Sequence, residues 1–397
     1  METINKKNVT IYYGLIMATY SIGYVTLSAF SSLFLLNLGL SNRAVGILLA
    51  VASLVSVLLQ PGVGAVIDRN PKISSKQILL IMALLITFLG IFIITFSGNN
   101  TVITVFLYGI CVMLLMLGQP FLNALGMDAI NYGYPINFGV GRSMGSLGYA
   151  FGSAAFGRIS VMFGAKSVPI AFSIAFLVLC ICLYFYPVKC NEDNKNSTDS
   201  KKIENENPFL FLNRYKRVGI MLFGLMFIYF SHVLINTFSL QIVISKNGTS
   251  SNMGTAAAIA AICELVTMLI FHIYLRHFKL HNLLRVSAVF FVLKIFLSFL
   301  APNMFVFYLV QGTQMFGWGI MSIGIIYYVN SLVGEHDKAR GQAFAGMSYT
   351  LSSVLGTLLG GNIIDMFGVN MMLVIGSILA TVGTIIVWIT VQETEVY

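Results

Sequence analysis

Residues 256–273 read AAAIAAICELVTMLIFHI, an apolar run with a single carboxylate, Glu264, in its middle. At 1.5 Å per residue such a run forms a helix about 27 Å long, close to the thickness of a bilayer's hydrocarbon core. A charge near the midplane costs about 2.5–3.5 kcal/mol on insertion scales, so it sits there with a pathway, a partner or a substrate. The chain has 14 acidic residues. All except Glu264 and Asp128 fall at the termini, in polar connectors or at helix ends.

The same pattern holds outward from this stretch. The chain is 57% hydrophobic and 9% charged, with a mean hydropathy of +0.87; a soluble domain is about 25% charged. Apolar runs of spanning length recur at about 11–36, 44–67, 77–97, 101–130, 142–163, 167–187, 217–244, 254–275, 283–301, 304–333, 340–364 and 369–391. Their continuous apolarity predicts helices, because barrel strands would alternate in runs of about ten. The expected fold is therefore an all-α integral membrane protein of 12 transmembrane helices.

Lysine and arginine orient it. With both termini in the cytoplasm, only Arg43, Arg158, Lys166 and Lys246 fall outside, and Lys294 falls within a span. Every other basic residue lies inside or at an inner helix end. The net charge of +9 then faces the inner leaflet and implies no nucleic acid. A bacterial-type cytoplasmic (inner) membrane is expected, with the lipid bilayer and a small-molecule substrate as partners and a monomer as the default. Lys6 and Lys7 precede a first run of full spanning length, which reads as a retained helix. The five cysteines show no metal spacing beyond a weak Cys180-x-Cys182. Nor do His272, His277 and His281 make a credible metal site, so no metal or cofactor is expected.

Residues 189–216 form the one long polar connector, rich in Asn, Ser, Asp, Glu and Lys. It divides the chain into an N-terminal six-helix bundle, 1–188, and a C-terminal one, 217–397. Two such halves mark an internally duplicated transporter. A small echo agrees: Met162-Phe163-Gly164 ends the fifth span and Met366-Phe367-Gly368 ends the eleventh.

Between spans two and three lies Gly64-Ala-Val-Ile-Asp68-Arg69. Here Gly64 would allow close helix approach and a sharp exit, and Asp68 would accept hydrogen bonds from a neighbouring helix N-terminus. This loop, in this place, resembles the signature of the major facilitator superfamily, with Lys72 and Lys76 as part of its basic continuation. The resemblance implies the two-bundle fold and transport by alternating access, with the site between the halves. Gly141, Gly145, Gly148 and Gly152 in span five, and Gly356 and Gly360 in span eleven, are spaced for close helix packing.

Several polar residues sit inside the spans. Glu264 and Lys294 are each about 15 Å along their helices. Arg142 and Tyr149 are two turns apart on one face of span five, with Gly145 and Gly148 leaving space beside it. A guanidinium, an aromatic ring and a carboxylate suit a sugar, whose apolar face stacks on the ring while its hydroxyls take charge-assisted hydrogen bonds. Phe138-Gly139, Arg142, Gly145, Gly148 and Tyr149, with Cys263-Glu264-Leu265, resemble the oligosaccharide:proton symporter (lactose permease-like) branch. That resemblance implies Arg142 and Glu264 as the substrate-binding pair, Tyr149 as the stacking ring, and Lys294 where the branch carries Arg. It implies a proton as the coupling ion. The chain departs from the branch at Gln314 and Gly317, where the His and the proton-carrying Glu of span ten would stand. Asn236 and Ser239 replace two acids of span seven, and Ala124 a first-half carboxylate, with Asp128 one turn later.

The reading that results is proton-coupled sugar uptake, oligosaccharide or galactoside-like. Arg142, Tyr149, Glu264, Gln314 and Asn236 are expected at the substrate, and Glu264, Asp128 and Lys294 in coupling. Glu264 could instead be a structural partner of Lys294, Asp128 a helix-end acid facing the cytoplasm, and Arg142 an interfacial anchor. His232 reads as a hydrogen-bonded core residue. Gln311, Gln314, Trp318, Tyr20 and Tyr24 are further candidates for the cavity wall. A nucleoside:proton symporter is the alternative, in keeping with the amides Asn236, Gln241 and Gln314. Drug or aromatic-compound transport fits less well, since the intramembrane charge is divided over both halves and span five lacks a Pro-Gly motif. No nucleophile–base pair, metal spacing or phosphate loop argues for an enzyme.

Overall fold

The computed structural model describes residues 6–69, 74–96, 100–134, 136–187, 213–334 and 337–393. Among these residues every regular element is a helix, α, 3₁₀ or π. The cause is the solvent: hydrocarbon offers backbone amides no partner, so each span closes its hydrogen bonds within itself. Ten helical stretches are long and apolar enough to cross a membrane, from Val9–Asn37 to Arg340–Thr390. The last of these is two helices, because Gly368, at φ 82 and ψ 173, breaks it. Phe138–Phe163 adds the fifth span; its glycines, Arg142 and Arg158 keep its hydropathy low. The twelve spans read from the sequence are therefore all present as helices.

Side-chain caps set several boundaries. Asn100 accepts from Ile103 N at 3.2 Å and opens Thr101–Asn131. Asn137 accepts from Val140 N at 3.1 Å, and Asn303 from Val306 N at 3.1 Å. Thr249 and Asn252 make a reciprocal capping box at the start of Ser250–His277.

The chain divides into two compact units. Unit 1 is Met1–Gly39 with Val51–Ile203, and unit 2 is Leu40–Ala50 with Glu204–Tyr397. The difference from a simple six-plus-six division is the start of the second span, which packs within unit 2. There Asp365 caps that helix: its carboxylate accepts from Asn42 N at 3.2 Å, Asn42 Nδ2 at 2.8 Å and Arg43 N at 2.7 Å. Gly46 and Gly361 admit this close approach, since added side chains would meet the backbone of Thr357 and Asn42 respectively.

Inside unit 1, span five lies directly on span one. A carbon added at Gly148 would sit 2.5 Å from the carbonyl oxygen of Ala18 and 2.6 Å from its Cα. Gly152 faces Ile22, and Gly141 faces the ring of Tyr13. Unit 2 repeats the design with span eleven on span seven: Gly356 faces Val233 at 2.9 Å, and Gly360 faces Leu234 at 2.6 Å. The glycine stripe thus packs helices together. The space expected beside Gly145 and Gly148 is filled by Met17, Ala18 and Ser21 of the first span.

Gly64 corrects a second expectation. The second helix runs without exit from Asn42 to Arg69, and among the described residues nothing lies within 4 Å of a carbon added at Gly64. The side chains of Asp68 and Arg69 lie outside the described residues. A helix N-terminus capped by a carboxylate is seen at Asp365, as above. Cys111, Cys180, Cys182 and Cys263 are free thiols; Cys190 lies outside the described residues.

Candidate functional site

The tenth span is broken in the middle, and the break makes the site. It runs as Met304–Gln311, a 3₁₀ turn over Gly312–Met315, and then Trp318–Leu332. Gly317, at φ −77 and ψ −97, departs from the helix. Backbone groups freed in this way need partners in hydrocarbon. Thr267 Oγ1 of span eight donates to the carbonyl of Met315 at 2.8 Å, and Ser287 Oγ of span nine donates to that of Gly317 at 2.7 Å. The discontinuity is therefore stabilised on two sides.

Gln314 rides on this turn and its Oε1 accepts from Lys294 Nζ at 2.5 Å. Both are buried, with Lys294 only 3% exposed. Side chains three apart in a 3₁₀ turn eclipse, so Gln311 shares the face of Gln314. Gln311 is buried, and its Nε2 has no hydrogen-bond partner among the described residues. Glu264, half-buried on span eight, lies within electrostatic reach of Lys294, as does Cys263. The structure thus brings Glu264, Lys294 and Gln314 together in unit 2.

Span seven completes the group. His232 is 4% exposed and stacks flat on Trp318, with ring centroids 4.5 Å apart and planes 4° apart. Its Nε2 lies 2.8 Å from Nδ2 of Asn236, which is exposed. Its Nδ1 is buried without a partner among the described residues. Lys294 is close enough for its charge to act on the ring. Phe291, Tyr229 and Tyr349 wall the pair: Phe291 meets His232 edge-on at 5.5 Å, and Tyr229 and Tyr349 meet Trp318 at 5.7 and 5.3 Å. In sequence His232 looks like a core residue. Its orphaned nitrogen is visible only once the fold is in hand, although a histidine one turn before Asn236 is the signal that could have raised it.

Other expected site residues make the following contacts within their own units. In unit 1, Arg142 is exposed and Tyr149 half-buried. The charge of Arg142 reaches Tyr13, and Tyr149 leans on Tyr24 at 6.3 Å. Tyr20 does not face a cavity; it is buried and donates to the carbonyl of Leu115. Asp128 accepts from Ser75 Oγ at 2.8 Å, near the end of Thr101–Asn131 and at the first residue of Ser75–Phe96. That is the helix-end position of the second reading given for it. Gln241 belongs to the short helix Ser239–Ser245 and spends its Nε2 on Asn42 Oδ1 at 2.8 Å.

A span broken at a buried polar cluster, within a membrane protein of twelve helices, suits a transporter fold of the major facilitator type. Residues 13–374 match the MFS_1 like family, and the chain belongs to it. No curated protein matches the chain in sequence. Solved structures agree in fold. A point mutant of the nucleoside transporter NupG superposes with a TM-score of 0.82 at 13% identity, over 97% of this chain and 100% of that one. A D-xylose-proton symporter gives 0.72 at 13% identity, over 98% of each chain. A bacterial homolog of the human lysosomal transporter Spinster, inward-facing and unoccupied, gives 0.70 at 12% identity, again over 98% of each.

Proposed function

We propose that this protein takes up a small polyhydroxylated molecule together with protons, by alternating access. A sugar, oligosaccharide or galactoside-like, is the leading substrate. The observation that carries the reading is the buried Lys294–Gln314 pair on a broken span beside Glu264. An ammonium buried this deeply is costly unless its partners compensate it. A substrate that engages Glu264 changes that balance, and this is how occupancy would be felt by the protein. Glu264, the Nε2 of Gln311, which has no partner among the described residues, and the exposed Asn236 offer acceptors and donors for hydroxyls. Arg142 and Tyr149 are kept as candidate substrate contacts of unit 1. Coupling is assigned to the Glu264–Lys294 pair before Asp128, whose carboxylate serves a helix end.

A nucleoside is the second reading. Asn236, Gln311 and Gln314 are amides of the kind that read ribose and base edges, and a nucleoside transporter is among the structural relatives. An aromatic or drug-like substrate is disfavoured by the number of hydrogen-bonding groups. The inner membrane of a bacterial-type cell, cytoplasmic termini and a monomer complete the proposal.

Uptake into proteoliposomes tests it, with monosaccharides, disaccharides and nucleosides, with and without an inward proton gradient. We expect accumulation of one sugar above equilibrium, lost in Glu264→Gln. Equilibration without accumulation would remove the proton from the proposal. Uptake of nucleosides alone would replace the sugar with the second reading.

A further inference from the structure

Gln314 and Gly317 leave the break in span ten without an ionisable group, yet one ionisable ring faces the same cluster. We propose that His232 takes up the coupling proton, with Asn236 as the amide that adapts to its two protonation states. The inference rests on the transport reading above and names the group that carries its proton.

Two observations support it, and a third links it to the substrate. First, the buried ring has one nitrogen held by Asn236 and the other, Nδ1, without a partner among the described residues. With Asn236 Nδ2 donating, Nε2 is the acceptor and the ring's own proton is on Nδ1. A proton arriving at Nε2 makes the imidazolium. Asn236 then turns its amide, so that Oδ1 accepts from the new Nε2–H. One proton is gained, no other bond is broken, and the step reverses on release. Asn236 is exposed while His232 is buried, so the amide joins the ring to the accessible surface. Second, the parallel stack on Trp318 presents a π face to the imidazolium, which favours the cation. Third, Lys294 opposes it. Protonation of His232 therefore raises the cost of the Lys294 ammonium unless that charge is drawn toward Glu264, the residue assigned to the substrate. Proton and substrate are linked through one repulsion.

The groups facing His232 are few. Among the described residues these are Asn236 of its own span, Phe291 and the charge of Lys294 from span nine, and Trp318 from span ten, which Tyr229 and Tyr349 wall in turn. Glu264 and Cys263 of span eight act through Lys294.

The chain has two tryptophans, so Trp388→Phe leaves Trp318 as the sole emitter against the stacked imidazole. We expect its emission to be quenched as the pH falls across about 8 to 5, the range in which histidines titrate, and the transition to vanish when His232→Gln is added. In proteoliposomes carrying an internal pH dye, His232→Gln should lose substrate-driven proton movement for lactose, D-xylose or uridine. It should keep exchange of labelled for unlabelled substrate. An emission without a pH transition, or one that persists in His232→Gln, overturns the proposal, and so does wild-type proton movement in that variant. A wild-type protein that moves none of the three substrates would overturn the substrate reading, while a His232-dependent transition in Trp318 would still support the protonation assigned here.

Discussion

Lys294 is the residue on which the site's energetics turn. Its ammonium is buried and donates to Gln314 Oε1 at 2.5 Å. Hydrogen bonds to charged groups contribute about 1.5–3 kcal/mol, and stranding a buried charge costs more than removing both partners. We therefore expect Gln314→Leu to lower stability by about 2–4 kcal/mol. Lys294→Met combined with Gln314→Leu should recover a large part of that loss. Thermal denaturation of the two single variants and the double variant in one detergent gives the coupling. Additive losses would mean that the pair is not the unit described. The identity of Lys294 as a buried charge was legible in the sequence from its depth in an apolar run. Glu264 was legible too, as the acid within its electrostatic reach, but its hydrogen-bond acceptor was not, because a glutamine reaches Lys294 through a helix break that no local pattern announces. His232 is the hydrogen-bonded core residue read from the sequence; only its unsatisfied nitrogen was hidden, being a property of neighbours contributed by spans seven, nine and ten.

At the scale of elements, the glycines separate into positions that matter and positions that do not. Gly148 faces the backbone of Ala18 at 2.5–2.6 Å, and backbone cannot yield as a flexible side chain can. Overpacking of this kind costs about 1–3 kcal/mol. Gly148→Ala should lower the melting temperature and Gly64→Ala, with open space around it, should leave it unchanged. Equal effects on the two would contradict the packing assigned to spans one and five. The spacing in the sequence told which glycines share a face, and so foresaw the stripe. It did not tell what lies opposite, so room for a substrate was inferred where the first span sits. Gly164 (φ 69, ψ −172) and Gly368 (φ 82, ψ 173) are a different case. Both adopt a conformation essentially restricted to glycine, and both close the Met-Phe-Gly echo. The echo in the sequence is thus the mark of one turn used twice.

Across the whole molecule the duplication shows in the same details in each unit: asparagine caps at Asn100 and Asn303, a glycine-lined helix pair, and a paired turn at Gly164 and Gly368. Spans one and seven are also both interrupted, at Val25–Ala29 and at Phe238. The composition carried the membrane class and the number of spans, since apolar length is a direct physical requirement of the bilayer. It did not carry the ties that hold a unit's polar end, because those join residues far apart in the chain. Asp337 is such a tie. Its carboxylate accepts from Arg214 Nη1 at 3.0 Å, from Tyr215 Oη at 3.0 Å and from Arg340 Nη1 at 3.5 Å. Burial works against the ionised form, but these donors and charges outweigh it and hold the carboxyl below its ordinary value. A carboxyl whose pKa is lower folded than unfolded contributes fully above the unfolded value, and its contribution is lost as the pH falls through the folded one. Stability gained from Asp337 should accordingly be constant from pH 7 to about 5 and decline only below about pH 4. Asp337→Asn keeps the shape and removes the charge. We expect it to melt below wild type by a fixed margin near neutrality, with the two curves converging in acid. A margin that grows as the pH falls would reverse the sign assigned to this carboxylate and separate it from the arginines around it.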